Sequence, residues 1–210
     1  LLYSIKEIES WNTNFIAKND IKKILKQYSY KPKEFLGLKN KKFHIMGILN
    51  ITSDSFSKAS NNILSKEEAI KKALMMYEDG ASIIDIGGES TRPGAMKVTT
   101  EEEQKRVIPI IKELSKFNIP ISCDTRNSST MQAAIDEGAT IINDISALSD
   151  DKAADIISKN NSGLIMMHMQ GQPNNMQNKP VYKNVSFEIK KYLESKKNYA
   201  IKKGIKEKNI

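Results

Sequence analysis

Residues Gly80–Gly94 read GASIIDIGGESTRPG. A short apolar run, Ser82–Ile86, contains one carboxylate, Asp85, and stops at Gly87-Gly88. A polar loop with Glu89, Ser90, Thr91 and Arg92 follows and closes on Pro93-Gly94. A continuous β-branched run is the pattern of a parallel strand covered on both faces. Polar groups at the C-terminal tip of such a strand are where α/β folds keep their ligands. Taken alone, the stretch favours a ligand-bearing tip only slightly over a plain strand followed by an ordinary Gly/Pro turn. The recurrence of the same layout along the chain decides between the two.

Upstream, Phe43–Ile48 (FHIMGI) is a first buried run, tipped by Leu49-Asn50-Ile51-Thr52-Ser53-Asp54-Ser55-Phe56. Ser65 and Glu68 then have capping-box spacing, Ala69–Glu78 propagate a helix, and Gly80 ends it. Downstream, Thr100 and Glu103 are expected to cap a helix reaching about Lys116. Pro120–Cys123 forms a third strand tipped by Asp124-Thr125-Arg126, and Ser129 with Gln132 caps the next helix. Thr140–Ile142 is a fourth strand tipped by Asn143-Asp144, followed by a helix over about 150–160. Gly163–Met167 is a fifth, tipped by His168, and a lysine-rich helix spans roughly 184–203. Right-handed crossovers bring all five tips to one rim. A doubly wound sheet and a (β/α)8 barrel both satisfy this pattern. The first strand lacks a G-x-G-x-x-G turn, and polar residues stand at every tip, which favours the barrel. Such a barrel needs about 250 residues and eight units. The chain supplies five, so it is expected to be part of a longer enzyme and inactive by itself. Residues 1–42 read as an N-terminal helical extension and 43–210 as the partial barrel.

Composition narrows the function classes. One Cys and two His leave little material for a zinc site or a disulfide framework, so a reducing, cytoplasmic setting is expected. No apolar run approaches the roughly 20 residues of a membrane span. The net charge of +8 comes mostly from Lys in 18–42 and 183–208. These runs lack aromatic interleaving and read as solvated helix faces rather than a nucleic-acid surface. Binding that weakens steeply with salt would mark the nucleic-acid alternative. A positive field also helps gather an anionic small substrate.

The rim collects Asn50, Asp54, Asp85, Thr91, Arg92, Asp124, Asn143, Asp144 and His168. Each has a structural use. Asp85 and Asp144 could cap backbone amides, Asn143 could hold a left-handed turn, and Arg92 could sit in a surface ion pair. Together they suit a ligand. An Asp beside an Asn presents acceptors and an amide that both donates and accepts, which matches an amino-substituted heterocycle with adjacent N–H, amine and carbonyl groups. An Arg in a Gly/Pro-flanked loop suits a second, anionic ligand. Cys123 lies inside a strand and reads as core filler, and no nucleophile triad is evident.

Five pieces in order, Ile45–Phe56 (IMGILNITSDSF), Gly80–Gly94, Ile121–Thr125 (ISCDT), Ile141–Ile145 (IINDI) and Met166–Gln170 (MMHMQ), resemble the dihydropteroate synthases of folate biosynthesis, pterin-binding TIM barrels and sulfonamide targets. The resemblance covers roughly residues 43–180. It implies joining (7,8-dihydropterin-6-yl)methyl diphosphate to 4-aminobenzoate, with 7,8-dihydropteroate and diphosphate as products. It implies that Asp124 and Asn143 hold the pterin edge, with Met167 packing nearby, and that Asn50 helps bind Mg²⁺ and diphosphate. It also implies that Phe56, Ser57, Ser90, Thr91, Arg92 and Pro93 close over 4-aminobenzoate, that Asp54 stabilises a cation-like pterin methylene, and that the complete enzyme is a homodimer. Ser53 stands where the family has Pro, and Lys58-Ala59-Ser60 replaces a glycine-rich continuation. A further pterin-binding Asp, a Lys and a basic pair are supplied in the family by later units. Two readings compete: a pterin-dependent methyltransferase of the same superfamily, and a non-catalytic pterin-binding homologue.

Overall fold

The computed structural model describes residues 35, 38, 43–51, 64–90, 98–172, 175–177 and 179–210. The chain divides into two units, Leu1–Glu34 and Phe35–Ile210, and the description concerns the second. The helices expected in residues 1–42 lie outside the described residues.

Five strands alternate with five helices: β1 Met46–Asn50, α1 Lys66–Glu78, β2 Ile83–Gly87, α2 Thr100–Leu114, β3 Ile121–Asp124, α3 Ser128–Asp136, β4 Ile141–Asp144, α4 Ala153–Lys159, β5 Gly163–Met166 and α5 Val185–Lys202. The strands form one parallel sheet in the order β1-β2-β3-β4-β5. A doubly wound sheet reverses its strand order at a switch point; an unbroken sequential order is that of consecutive βα units in a barrel.

Local signals explain most helix boundaries. Ser65 and Glu68 form the expected capping box, with Glu68 N–H donating to Ser65 Oγ and Ser65 N–H to Glu68 Oε2. Gly80 leaves α1 at φ +109°, a conformation that costs glycine nothing. Two expected caps are corrected. Thr99, not Thr100, caps α2 by accepting from Glu102 N–H. Glu103 is instead buried and accepts from Asn127 Nδ2 and Thr130 Oγ1. At α3 the cap position is Asn127 rather than Ser129; its side chain is committed to Glu103, and Asp150 accepts from Ser128 N–H in its place.

The two sheet faces differ. Leu49, Ile84, Ile86, Ile121, Cys123, Ile142 and Leu164 are buried against the helices, with Ala69, Ala73, Val107, Ile111 and Met131 opposite. Each fully buried isoleucine stabilises the fold by about 1.5–3 kcal/mol. The other face carries Ile48, Asp85, Ser122 and Ile141 in one register row and Asn50, Gly87, Asp124 and Asn143 in the next. Ile48, on the outer strand β1, is 58% exposed there. Beside the other outer strand, β5, a cavity of about 690 Å³ opens between Ile165 and Met166 and the α5 residues Val185, Ile189 and Leu193.

Candidate active site

Four of the five strands run one or two residues further toward the rim than their apolar content suggests; β5 stops at Met166, one residue short of the expected Met167. Asn50, Asp124, Asn143 and Asp144 all belong to strands rather than to the loops after them. Parallel pairing aligns Asn50 with Gly87, Gly87 with Asp124, and Asp124 with Asn143. Register neighbours in a parallel sheet share a face, so the three polar side chains project to the same side, the one the helices leave open. Gly87 is the gap between them. A Cβ there would lie 3.4 Å from Asn50 Oδ1 and 3.4 Å from Asp124 Oδ2, so both oxygens reach over the glycine. One layer deeper on the same face, Asp85 is 3% exposed and accepts from Asn143 Nδ2 at 3.1 Å.

The electrostatics of this row are dominated by carboxylates. Burial, then the nearby charges of Asp85, Glu103, Asp144 and Glu89, pushes Asp124 up to about 8. A value near 8 favours the protonated carboxyl at neutral pH. Burial also raises Asp85, against the lowering effect of the neighbouring Ser122 hydroxyl and Asn143 amide. A ligand that donates hydrogen bonds or carries positive charge relieves this crowding; an acceptor-only ligand does not.

Asp144 serves the backbone, as its bland reading has it. It faces away from the row and accepts from Ser146 N–H, Ser146 Oγ and Leu148 N–H. Among the described residues Asp85 caps no backbone amide, and Asn143 sits in a strand rather than in a left-handed turn. Cys123 is fully buried in the helix-side core. Met167 follows β5, half-buried, with its N–H on Asp144 O at 3.3 Å. His168 packs edge-on to Tyr192 at 4.8 Å and tilted against Tyr182 at 5.8 Å. Ser90 is half-buried just beyond β2. Asp54, Phe56, Ser57, Thr91, Arg92 and Pro93 lie outside the described residues.

Sequence reasoning missed the brace at the tip of β2. Glu89 forms a two-pronged ion pair with Arg126, Nε–Oε2 at 3.0 Å and Nη2–Oε1 at 2.9 Å, and accepts from Val98 N–H at 3.3 Å. Arg106 donates to Gly88 O at 2.9 Å and pairs with Glu102. One carboxylate thus ties residues on both sides of the loop to the tip of β3. No local pattern announces a partner 37 residues away.

A family model for pterin binding enzymes matches residues 46–210. The chain belongs to that family. It is 42% identical over 163 residues to a dihydropteroate synthase of Neisseria meningitidis serogroup C, an alignment covering 77% of this chain and 58% of the relative. Among solved structures of the family, the Xanthomonas albilineans dihydropteroate synthase with 4-aminobenzoic acid superposes with a TM-score of 0.71 at 38% identity, covering 79% of this chain and 59% of that one. The Burkholderia cenocepacia enzyme complexed with 7,8-dihydropteroate gives 0.70 at 38% identity, covering 80% and 56%. The chain thus spans somewhat more than half the length of these relatives. Its five βα units are units of the TIM barrel that this family shares, as the strand order indicates.

Proposed function

We propose that the protein is a dihydropteroate synthase, joining (7,8-dihydropterin-6-yl)methyl diphosphate to 4-aminobenzoate and releasing diphosphate. The observation that carries the reading is the single row of Asn50, Asp124 and Asn143 over Gly87, where burial and neighbouring carboxylates raise the Asp124 carboxyl to about 8. A pterin's amino-pyrimidinone edge offers an amine and a ring N–H side by side. Asp124 accepts both, and charge-assisted hydrogen bonds offset the cost of ionising its carboxyl. Asn143 completes the edge by donating to and accepting from the remaining ring positions. Family members of known structure that hold 4-aminobenzoic acid and 7,8-dihydropteroate support the same chemistry.

The residues also suit Mg²⁺, though not as a dedicated cage. Among the described residues no cluster of three or more His, Cys, Asp or Glu could hold a metal ion. Asn50 Oδ1, an oxygen donor at the edge of Gly87, fits a cation that binds one or two protein oxygens, waters and substrate phosphates. Asn50 would hold the cation together with diphosphate, and the chemistry it would supply there is neutralisation of charge on the leaving group. The chain's own part is positioning. Asp124 and Asn143 fix the pterin, Asp54 stabilises positive charge on its methylene as the C–O bond breaks, and Phe56, Ser57, Ser90, Thr91, Arg92 and Pro93 hold 4-aminobenzoate and exclude water. Met167 packs against the pterin. The neutral arylamine then attacks, and no covalent enzyme intermediate forms. Among the described residues no helix is long and apolar enough to cross a membrane; the reading places a homodimeric enzyme in the cytoplasm.

The full-length protein, given both substrates and Mg²⁺, should form 7,8-dihydropteroate in a chromatographic product assay. Methyl transfer from a methylated pterin to a corrinoid, without dihydropteroate formation, would establish the methyltransferase alternative. Pterin binding with neither activity would leave a binding protein.

A further inference from the structure

Asp85 is buried one layer below the rim row, and its Oδ2 accepts from Asn143 Nδ2 at 3.1 Å. The adjacent Ser122, its register neighbour on β3, is 0% exposed, and its hydroxyl works against the rise that burial imposes on the Asp85 carboxyl. A buried carboxylate is costly, and one that persists has a use. The Asp85 hydrogen bond toward the rim goes to Asn143, in the row above. Because Asp85 Oδ2 accepts from Asn143 Nδ2, it holds the Nδ2 end of the amide inward. The Oδ1 end and the second N–H are thereby left for a ligand. Without Asp85 the amide could rotate by half a turn, exchanging acceptor for donor at the same point.

We propose that Asp85 is a positioning residue which fixes the amide of Asn143 in the orientation that reads the donor–acceptor pattern of the bound heterocycle. This rests on the functional reading above for the identity of that heterocycle. The orientation itself rests on the Asp85–Asn143 hydrogen bond. Asp85 acts through Asn143 and does not itself touch the ligand.

The test is a double-mutant cycle in the full-length protein, with 6-hydroxymethylpterin as the probe and calorimetry as the readout. Asp85→Ala should weaken pterin binding on the order of tenfold when Asn143 is present, and by less than about twofold in an Asn143→Ala background. Equal losses in both backgrounds would mean a merely structural role and overturn the proposal. Asp85→Asn keeps an acceptor for Asn143 Nδ2 and offers Ser122 Oγ a donor, so it should restore affinity to within about threefold of the unaltered protein. A loss in Asp85→Asn as deep as in Asp85→Ala also counts against it. If Asp85→Ala does not fold, the unaltered protein decides. The Nδ2 protons of Asn143 should then exchange with solvent on the order of ten times more slowly, by ¹⁵N NMR, than those of an unbonded asparagine. Exchange at the unbonded rate refutes the proposal. A protein that binds no pterin at all sinks the functional reading, and the Asn143 exchange rate still judges the positioning.

Discussion

Asp124→Asn tests the electrostatics of the row without changing its shape. The Asp124 carboxyl sits at about 8 in the folded chain against an ordinary 3.8. At pH 7 an unfolded chain carries this group ionised, whereas the folded chain must first protonate it. At about 1.4 kcal/mol per pH unit over the roughly three units between 3.8 and 7, folding forgoes up to about 4 kcal/mol. Asp124 keeps some exposure on the open face, and solvent access and relaxation reduce this to on the order of 1–2 kcal/mol. Asparagine carries no charge to desolvate. The variant should therefore be more stable than the unaltered protein at pH 7 by that amount, while losing pterin affinity. The sign follows from the raised value. Below about pH 4 both chains are neutral at this position and the difference vanishes. It grows as pH rises and levels off above about 8. Urea denaturation at pH 4, 6, 7 and 8.5, without ligand and with EDTA present, measures it. A variant that is no more stable at pH 7, or whose advantage does not depend on pH, refutes the assignment of a protonated, crowded carboxyl.

Pterin binding that ionises Asp124 must release a proton below about pH 8; calorimetry at pH 7 in buffers of different ionisation enthalpy should show close to one proton leaving per ligand bound, and none above pH 9. Gly88→Ala should destabilise the fold by about 1–3 kcal/mol, because the added Cβ would lie 2.9 Å from Val107 Cγ1 and 3.1 Å from the Glu103 carbonyl, which is seen as a lower urea midpoint. Arg126→Ala should cost on the order of 2–3 kcal/mol by leaving Glu89 without its two-pronged partner, with the same readout. Glu89→Gln should also lower the urea midpoint, because its amide oxygen can still accept from Val98 N–H and Arg126 Nη2 but its NH2 then faces the Arg126 Nε–H donor.

The fold was readable because its rules are local. The β-branched runs, the Ser65/Glu68 box and the glycine after α1 each depend on neighbours within a turn. The strand ends were not read correctly, for a physical reason. Asn50, Asp124 and Asn143 look like loop residues because they are polar, yet the backbone ladder continues through them and only their side chains face the open side. The caps of α2 and α3 were misplaced because Glu103 is drawn into the core by Asn127 and Thr130, more than twenty positions on. The rim row was legible as a set of strand tips, but its depth was not. Asp85 stood out as a carboxylate in an apolar run, and nothing near it in the chain points to Asn143. The roles of Asp54, Phe56, Ser57, Thr91, Arg92 and Pro93 rest on resemblance to the family, since these residues lie outside the described ones.

The most direct measurement is a calorimetric titration of (7,8-dihydropterin-6-yl)methyl diphosphate, with Mg²⁺, into the full-length protein and into its Asp124→Ala and Asn143→Ala variants. Saturable binding by the unaltered protein, abolished in Asp124→Ala and weakened on the order of tenfold or more in Asn143→Ala, is the predicted result. Undiminished affinity in Asp124→Ala would show that the pterin lies elsewhere and contradict the account.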